Sequence, residues 1–143
     1  MIKVKQILAN KTRPLTTVAP NDTVLSAAEL MRGRDVGAVL VVENGKLLGI
    51  FTERDCLHMV TALGRDPRAI KVSEVMTTAV RTVTPDLEVS QGLAMMTERY
   101  FRHLPVLDEK QNIIGVVSIG DLVKAKISDQ SFTIEQMERY INT

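Results

Sequence analysis

The chain states one pattern twice. Residues 18–57 read VAPNDTVLSAAELMRGRDVGAVLVVENGKLLGIFTERDCL, and residues 83–123 read VTPDLEVSQGLAMMTERYFRHLPVLDEKQNIIGVVSIGDLV. Val18 and Pro20 map onto Val83 and Pro85 at an offset of 65; after one extra residue in the second copy, Gly49, Thr52 and Asp55 map onto Gly115, Ser118 and Asp121 at an offset of 66. A period this long means two copies of one supersecondary unit. Two units that each bury one face incompletely are expected to bury it against each other. That predicts two equivalent clefts at their junction, where the most polar matched positions fall.

Each copy reads as strand, helix, strand, strand, helix. The first strands are expected at Leu15–Val18 and Val80–Val83. Pro20 and Pro85 follow, each beside an Asp or Asn able to cap a helix. Val24, Ala27, Ala28 and Met31 stand at i, i+3, i+4 and i+7, as do Val89, Gly92, Leu93 and Met96, which is the spacing of a helix face. The next strands are Ala38–Val42 and His103–Leu107. Glu43-Asn44-Gly45-Lys46 is a hairpin turn, because Asn-Gly tolerates the positive φ such a turn requires; its counterpart, Asp108–Asn112, is one residue longer. Return strands at Leu47–Thr52 and Ile113–Ser118 lead into helices at about Glu53–Leu63 and Ile119–Ile127. Val4–Leu8 and Val72–Met76 form a weaker matching pair, a short amphipathic lead-in before each copy. The sequence divides into a first repeat at 1–64 (core 15–64), a polar linker at 65–71, a second repeat at 72–128 and a C-terminal helix at 129–143. That last helix is expected to start at Ser131, with Thr133 and Gln136 as a capping box and Ile134, Met137 and Ile141 as its apolar stripe. The stripe fits either its own chain or a dimer interface.

Composition removes several function classes. Eighteen basic residues nearly balance seventeen acidic ones in 143 residues, and there are two Tyr, three Phe and no Trp. A nucleic-acid binder usually carries a basic excess and aromatic stacking surface, so the sequence argues against nucleic acid as a partner. Charges interrupt every apolar run before the roughly 18 residues of a membrane span, so no membrane is expected. The start of the chain has no secretory pattern. The single cysteine, Cys56, has no internal disulfide partner, which fits a reducing cytoplasm. It reads as a small buried filler. His58 lacks a second ligand at metal spacing, and no Gly-rich P-loop with Lys-Ser/Thr is present.

The matched polar positions, Thr52-x-x-Asp55 and Ser118-x-x-Asp121, lie where a strand becomes a helix. A hydroxyl followed three residues later by an acid caps helix N–H groups. The same placement also suits a ligand. A helix N-terminus attracts phosphate, and a carboxylate one turn in accepts both hydroxyls of a ribose, each such charged hydrogen bond contributing about 1.5–3 kcal/mol. The two roles are compatible.

Gly49-Ile50-Phe51-Thr52-Glu53-Arg54-Asp55 and Gly115-Val116-Val117-Ser118-Ile119-Gly120-Asp121, with the strand His103-Leu104-Pro105-Val106-Leu107, resemble the CBS domain family, and in particular the tandem pair called a Bateman module. The resemblance extends to about residue 128. It implies an α+β fold of α/β type in which two tandem CBS repeats pack sheet to sheet with pseudo-two-fold symmetry. It also implies binding of adenosyl ligands (AMP, ADP, ATP, NAD(H) or S-adenosylmethionine) and a disc-like homodimer. Each pocket then draws on both repeats. One uses Ser118, Gly120 and Asp121 with Val36, Gly37 and Ala38. The other uses Thr52, Arg54 and Asp55 with Arg102, His103, Leu104 and Pro105. Backbone near Leu15 and Val80 lies along the base. The clefts differ: Leu40 stands where the second copy has Pro105, and Arg54 where it has Gly120. Arg54 is either a phosphate clamp or a solvated first-turn residue, and different linings allow a mononucleotide in one cleft and a dinucleotide in the other.

Three functions remain. A regulatory sensor would bind an adenine nucleotide, shift between two states and signal to another polypeptide, as in energy sensing. An interaction scaffold would have vestigial clefts. A small nucleotide-processing enzyme would need an activated nucleophile, a base or a metal cluster, for which two histidines, one cysteine and no clustered acids give little material. The sequence therefore favours a sensor without catalytic residues, metal or catalytic cofactor.

Overall fold

The computed structural model describes residues 1–11, 15–99 and 101–141. These form two compact units, one from Pro14–Arg81 and one from Met1–Arg13 together with Thr82–Thr143. The Pro14–Arg81 unit is continuous in sequence, whereas the other is assembled from both ends of the chain.

The continuous unit holds β1 (Thr17–Val18), α2 (Val24–Arg34), β2 (Ala38–Glu43), β3 (Lys46–Thr52), α3 (Glu53–Leu57) and α4 (Val72–Val75). Its sheet runs β1-β2-β3, with β1 parallel to β2 and β2 antiparallel to β3. The β2–β3 turn has φ of 53° at Asn44 and 78° at Gly45, the two positive values expected of this pair. Thr23 caps α2, its hydroxyl accepting from Ser26 N at 3.1 Å. Asp22, two residues after Pro20, does other work: its carboxylate accepts from Ala19 N at 2.8 Å. Val24, Ala27 and Met31 of α2 bury against Val39 and Val41 of β2 and Phe51 of β3. The helix expected over 53–63 changes pitch after Leu57 into a π-turn, His58–Ala62, which carries the buried Met59.

The discontinuous unit holds α1 (Val4–Asn10), α5 (Val89–Arg99), the antiparallel pair β4 (His103–Leu107) and β5 (Ile113–Ser118), and α6 (Ile119–Ile141). Its core is Val4, Val83, Val89, Met96, Leu104, Val106, Val117 and Leu122. No strand forms over Val80–Val83; only Val83 bridges, to Val106. The cause is Pro105. In the other unit Leu40 N donates to Thr16 O at 3.1 Å and lengthens the parallel pairing. Pro105 occupies the matching position without an N–H, so the pairing stops at one residue.

Two expectations about helices change. The tail is not a separate helix starting at Ser131, because α6 runs unbroken from Ile119 to Ile141. Neither Gly nor Pro occurs between Asp121 and Ile141 to end it. The Thr133 side chain, half of the proposed capping box, lies outside the described residues. The lead-ins also pack across the repeat order. α1 precedes the first repeat in sequence but joins the unit of the second: Val4 N donates to Leu87 O at 2.9 Å, Lys5 N to Pro85 O at 2.9 Å, and Val89 N to Ile2 O at 3.0 Å. The matching bonds in the continuous unit are Val72 N to Asp22 O at 2.8 Å, Ser73 N to Pro20 O at 3.1 Å, and Val24 N to Ile70 O at 2.9 Å. Each unit thus holds one lead-in the same way.

Each lead-in rests on the motif glycine of its unit. A Cβ at Gly49 would stand 2.8 Å from Thr77 O, and one at Gly115 would stand 2.5 Å from the Leu8 side chain. At Gly49 the neighbouring backbone leaves no room for a side chain, whereas at Gly115 it is the Leu8 side chain that fills the space.

Candidate functional site

The two motifs adopt the same local geometry. At the end of β3, Thr52 N donates to Asp55 Oδ2 at 3.0 Å, and Asp55 N donates to Thr52 Oγ1 at 3.2 Å. At the end of β5, Ser118 N donates to Asp121 Oδ2 at 2.8 Å, and Asp121 N donates to Ser118 Oγ at 3.1 Å. Both are capping boxes, so the capping role read from the sequence is real. Each box uses a single carboxylate oxygen. Among the described residues, Oδ1 of Asp55 and Oδ1 of Asp121 accept nothing. Both aspartates are half-buried, at the surface of their units rather than inside the cores.

Each unit also brings the motif against its own neighbouring strand. Glu53 N donates to Gly37 O at 3.0 Å, and Ala38 pairs with Thr52 across β2 and β3. Val36, Gly37 and Ala38, all half-buried, therefore line the start of α3. Likewise Ile119 N donates to Arg102 O at 2.8 Å and His103 pairs with Ser118, which sets Arg102 and His103 beside the start of α6. Leu104 is fully buried in its core, so it can offer a ligand only backbone; Pro105 is buried as well. Arg54 and Gly120 stand exposed in the first turns of α3 and α6. Leu15, just before β1, and Val80 are half-buried.

Sequence reasoning missed one residue. Lys11 Nζ stands 2.8 Å from Asp121 Oδ2 and donates to Val116 O at 2.7 Å. Burial raises the pKa of Asp121, but the Lys11 hydrogen bond, the Ser118 N–H and the Lys11 charge together outweigh it, and the carboxyl sits below its ordinary value. No spacing in the sequence announces this pair, because Lys11 and Val116 are 105 residues apart. Only the crossed packing of α1 joins them. The Val4-to-Val72 match places Ala79 at the position of Lys11, so the other lead-in brings no cation.

The remaining titratable groups give no second centre. Burial first, and then the neighbouring Asp55 charge, raise the Cys56 pKa, which makes it a poor nucleophile. Among the described residues, no group of three His, Cys, Asp or Glu side chains could hold a metal ion, and no helix is long and apolar enough to cross a membrane.

Comparison with known proteins agrees with the fold. The CBS domain model matches twice, over residues 4–62 and 72–128. The chain is 39% identical over 120 residues to the CBS domain-containing protein YhcV of Bacillus subtilis, covering 84% of each chain. A putative signal-transduction protein with CBS domains from Burkholderia ambifaria superposes at a TM-score of 0.85 with 45% identity, over 90% of this chain and 96% of that one. The CBS domain pair of protein MJ0100, solved with 5′-methylthioadenosine and S-adenosyl-L-methionine, superposes at 0.77 with 25% identity, over 90% and 98%. Twin strand–helix motifs, twin glycines seating twin lead-ins, and these matches together make the chain a member of the CBS domain family, carrying two CBS repeats.

Proposed function

We propose that the chain is a regulatory module that binds an adenosyl ligand at each Thr/Ser-x-x-Asp motif and passes the bound state to another polypeptide. The observation that carries this is the half-used carboxylate. Asp55 and Asp121 are each fixed by a cap through Oδ2, while Oδ1 remains able to accept from a ribose hydroxyl. A cap bond that fixes the carboxylate in advance lowers the ordering cost of binding. The adenosyl compounds in the related MJ0100 pair support the ligand class. In this reading the ligands are AMP, ADP or ATP, with NAD(H) as the dinucleotide. Thr52, Arg54 and Asp55 are the candidate contacts at one motif, and Ser118, Gly120 and Asp121 at the other. Leu15 and Val80 give backbone to the base. The module performs no catalytic step of its own and works in the cytoplasm.

Signalling requires two states with different affinity for the ligand. We assign self-association to the outer stripe of α6. Val123, Ile127, Ile134, Met137 and Ile141 are all exposed. With Gln130 they alternate in steps of four and three, the spacing of a coiled-coil seam. A second copy offers the same seam. In an antiparallel pair, Lys124 of one copy falls opposite Glu138 of the other.

Thermal unfolding with added AMP, ATP, NAD or S-adenosylmethionine tests the ligand reading. A ligand at 100 times its Kd adds about 2.7 kcal/mol of stability, which raises Tm by several degrees in a chain of this size. Asp55→Ala and Asp121→Ala should each remove one binding event, with a loss of roughly 2–4 kcal/mol at the altered site by calorimetry, the scale of two lost hydrogen bonds to a charged group. No shift with any adenosyl compound would leave the scaffold reading, and turnover of the bound ligand would leave the enzyme reading.

A further inference from the structure

We propose that Lys11 makes the Asp121 site selective for adenosyl ligands that carry a phosphate, over neutral or cationic ones. The inference rests on the ribose reading of Asp121 and adds the ligand class to it.

Lys11 is held, not merely near. It follows α1, and its own N–H closes that helix on Leu8 O at 3.2 Å. Hydrogen bonds from Val4 and Lys5 to Leu87 and Pro85 fix α1 on the unit that contains Asp121. Leu8 fills the space beside Gly115, where a Cβ would come within 2.5 Å of it. At that anchorage the ammonium reaches Asp121 Oδ2 at 2.8 Å and Val116 O at 2.7 Å. An ammonium has three N–H donors. Two are engaged, and among the described residues the third is not.

A nucleoside gripped through its 2′ and 3′ hydroxyls carries its 5′ phosphate on the same sugar, well within a screening length of the gripping carboxylate. A bare carboxylate repels that phosphate across a short distance in a half-buried setting, where screening is weak. Lys11 cancels this repulsion and leaves Oδ1 for the diol. Its third donor is then available to a phosphate oxygen as a charge-assisted hydrogen bond. A sulfonium ligand meets the opposite situation, since the cation it would pair with Asp121 is already supplied. The Asp55 motif is the internal contrast. Ala79 occupies the position of Lys11, and Asp55 makes no ion pair among the described residues. The two motifs therefore select on different terms: the Asp121 site for an anionic ligand, the Asp55 site without a lysine to set the charge.

The test is calorimetric titration of AMP and of adenosine into the full chain and into Lys11→Met. It is repeated on an Asp55→Asn background, so that the Asp121 site alone is read. Lys11→Met should weaken AMP by about ten- to a hundredfold, the scale of one charged hydrogen bond, while adenosine changes by no more than about threefold. Lys11→Arg should recover most of the AMP affinity. On the unaltered chain, raising salt should weaken AMP far more than adenosine. Equal weakening of both ligands, no change in either, or tighter AMP binding in Lys11→Met would overturn the proposal, the last showing Lys11 to be a competitor for the carboxylate. A chain that binds neither AMP nor adenosine overturns the ribose reading, and this inference with it. A chain that binds both without regard to Lys11 overturns this inference alone.

Discussion

Asp121 and Asp55 look interchangeable in the sequence and differ in the structure by one ammonium. The difference has a pH signature. The folded pKa of Asp121 is depressed, so its contribution to stability is fully present above the ordinary carboxylate value of about 3.9 and is lost as pH falls through the lower folded value. Wild type and Lys11→Met should therefore differ in Tm at neutral pH, and the gap should close in strong acid. A gap that persists in acid strong enough to protonate Asp121 in the folded chain would mean that Lys11 acts through packing rather than charge. The motif residues themselves were legible. Thr52, Asp55, Ser118 and Asp121 stand at the strand-to-helix joints where the repeat placed them. Lys11 was not legible, because its partner is chosen by tertiary packing and not by any local spacing.

Among the elements, the hairpins were the most readable and the parallel pairings the least. Asn44-Gly45 dictates its turn locally, and β4 and β5 have the predicted bounds. β1 keeps two residues, and its counterpart shrinks to the Val83 bridge, because the deciding group is an N–H on a different strand. The Leu40–Pro105 difference, which in sequence marks only a change in a candidate adenine strand, sets how far the parallel pairing runs. Leu40→Pro should remove the bond to Thr16 O and reduce β1 to a single bridge at Val18. The lost hydrogen bond and disturbed packing should cost at least about 1–3 kcal/mol in urea unfolding. Amide exchange near Thr16–Val18 should accelerate at the same time. α6 misled for a different reason: a capping-box pattern at Thr133–Gln136 marks a helix start only where something ends the helix before it, and nothing does.

On the scale of the whole molecule, the unit boundaries follow contacts and not sequence order. The part of α6 beyond Gln130 shows only exposed side chains wherever they are described, so a helix of that length has little on its own chain to hold it. If the seam pairs two copies, light scattering should report a dimer for the wild type and a monomer for Ile134→Asp, with Tm at low protein concentration little changed. A monomer in both would remove α6 as the contact. The repeat made the presence of two similar units plain from sequence. It could not show which lead-in belongs to which unit, because both lead-ins carry the same weak pattern and either would satisfy either glycine.

That exchange of lead-ins sets an order of events at the ribosome. Of the described helices α1 is translated before the others, yet its seat beside Gly115 is made only later, and the unit from Pro14 to Arg81 can close before that seat exists. At about 5–20 residues per second, α1 waits several seconds or more for its place. A nascent chain that stalls or is cut before β5 can carry a finished first unit, but never the lysine–aspartate pair.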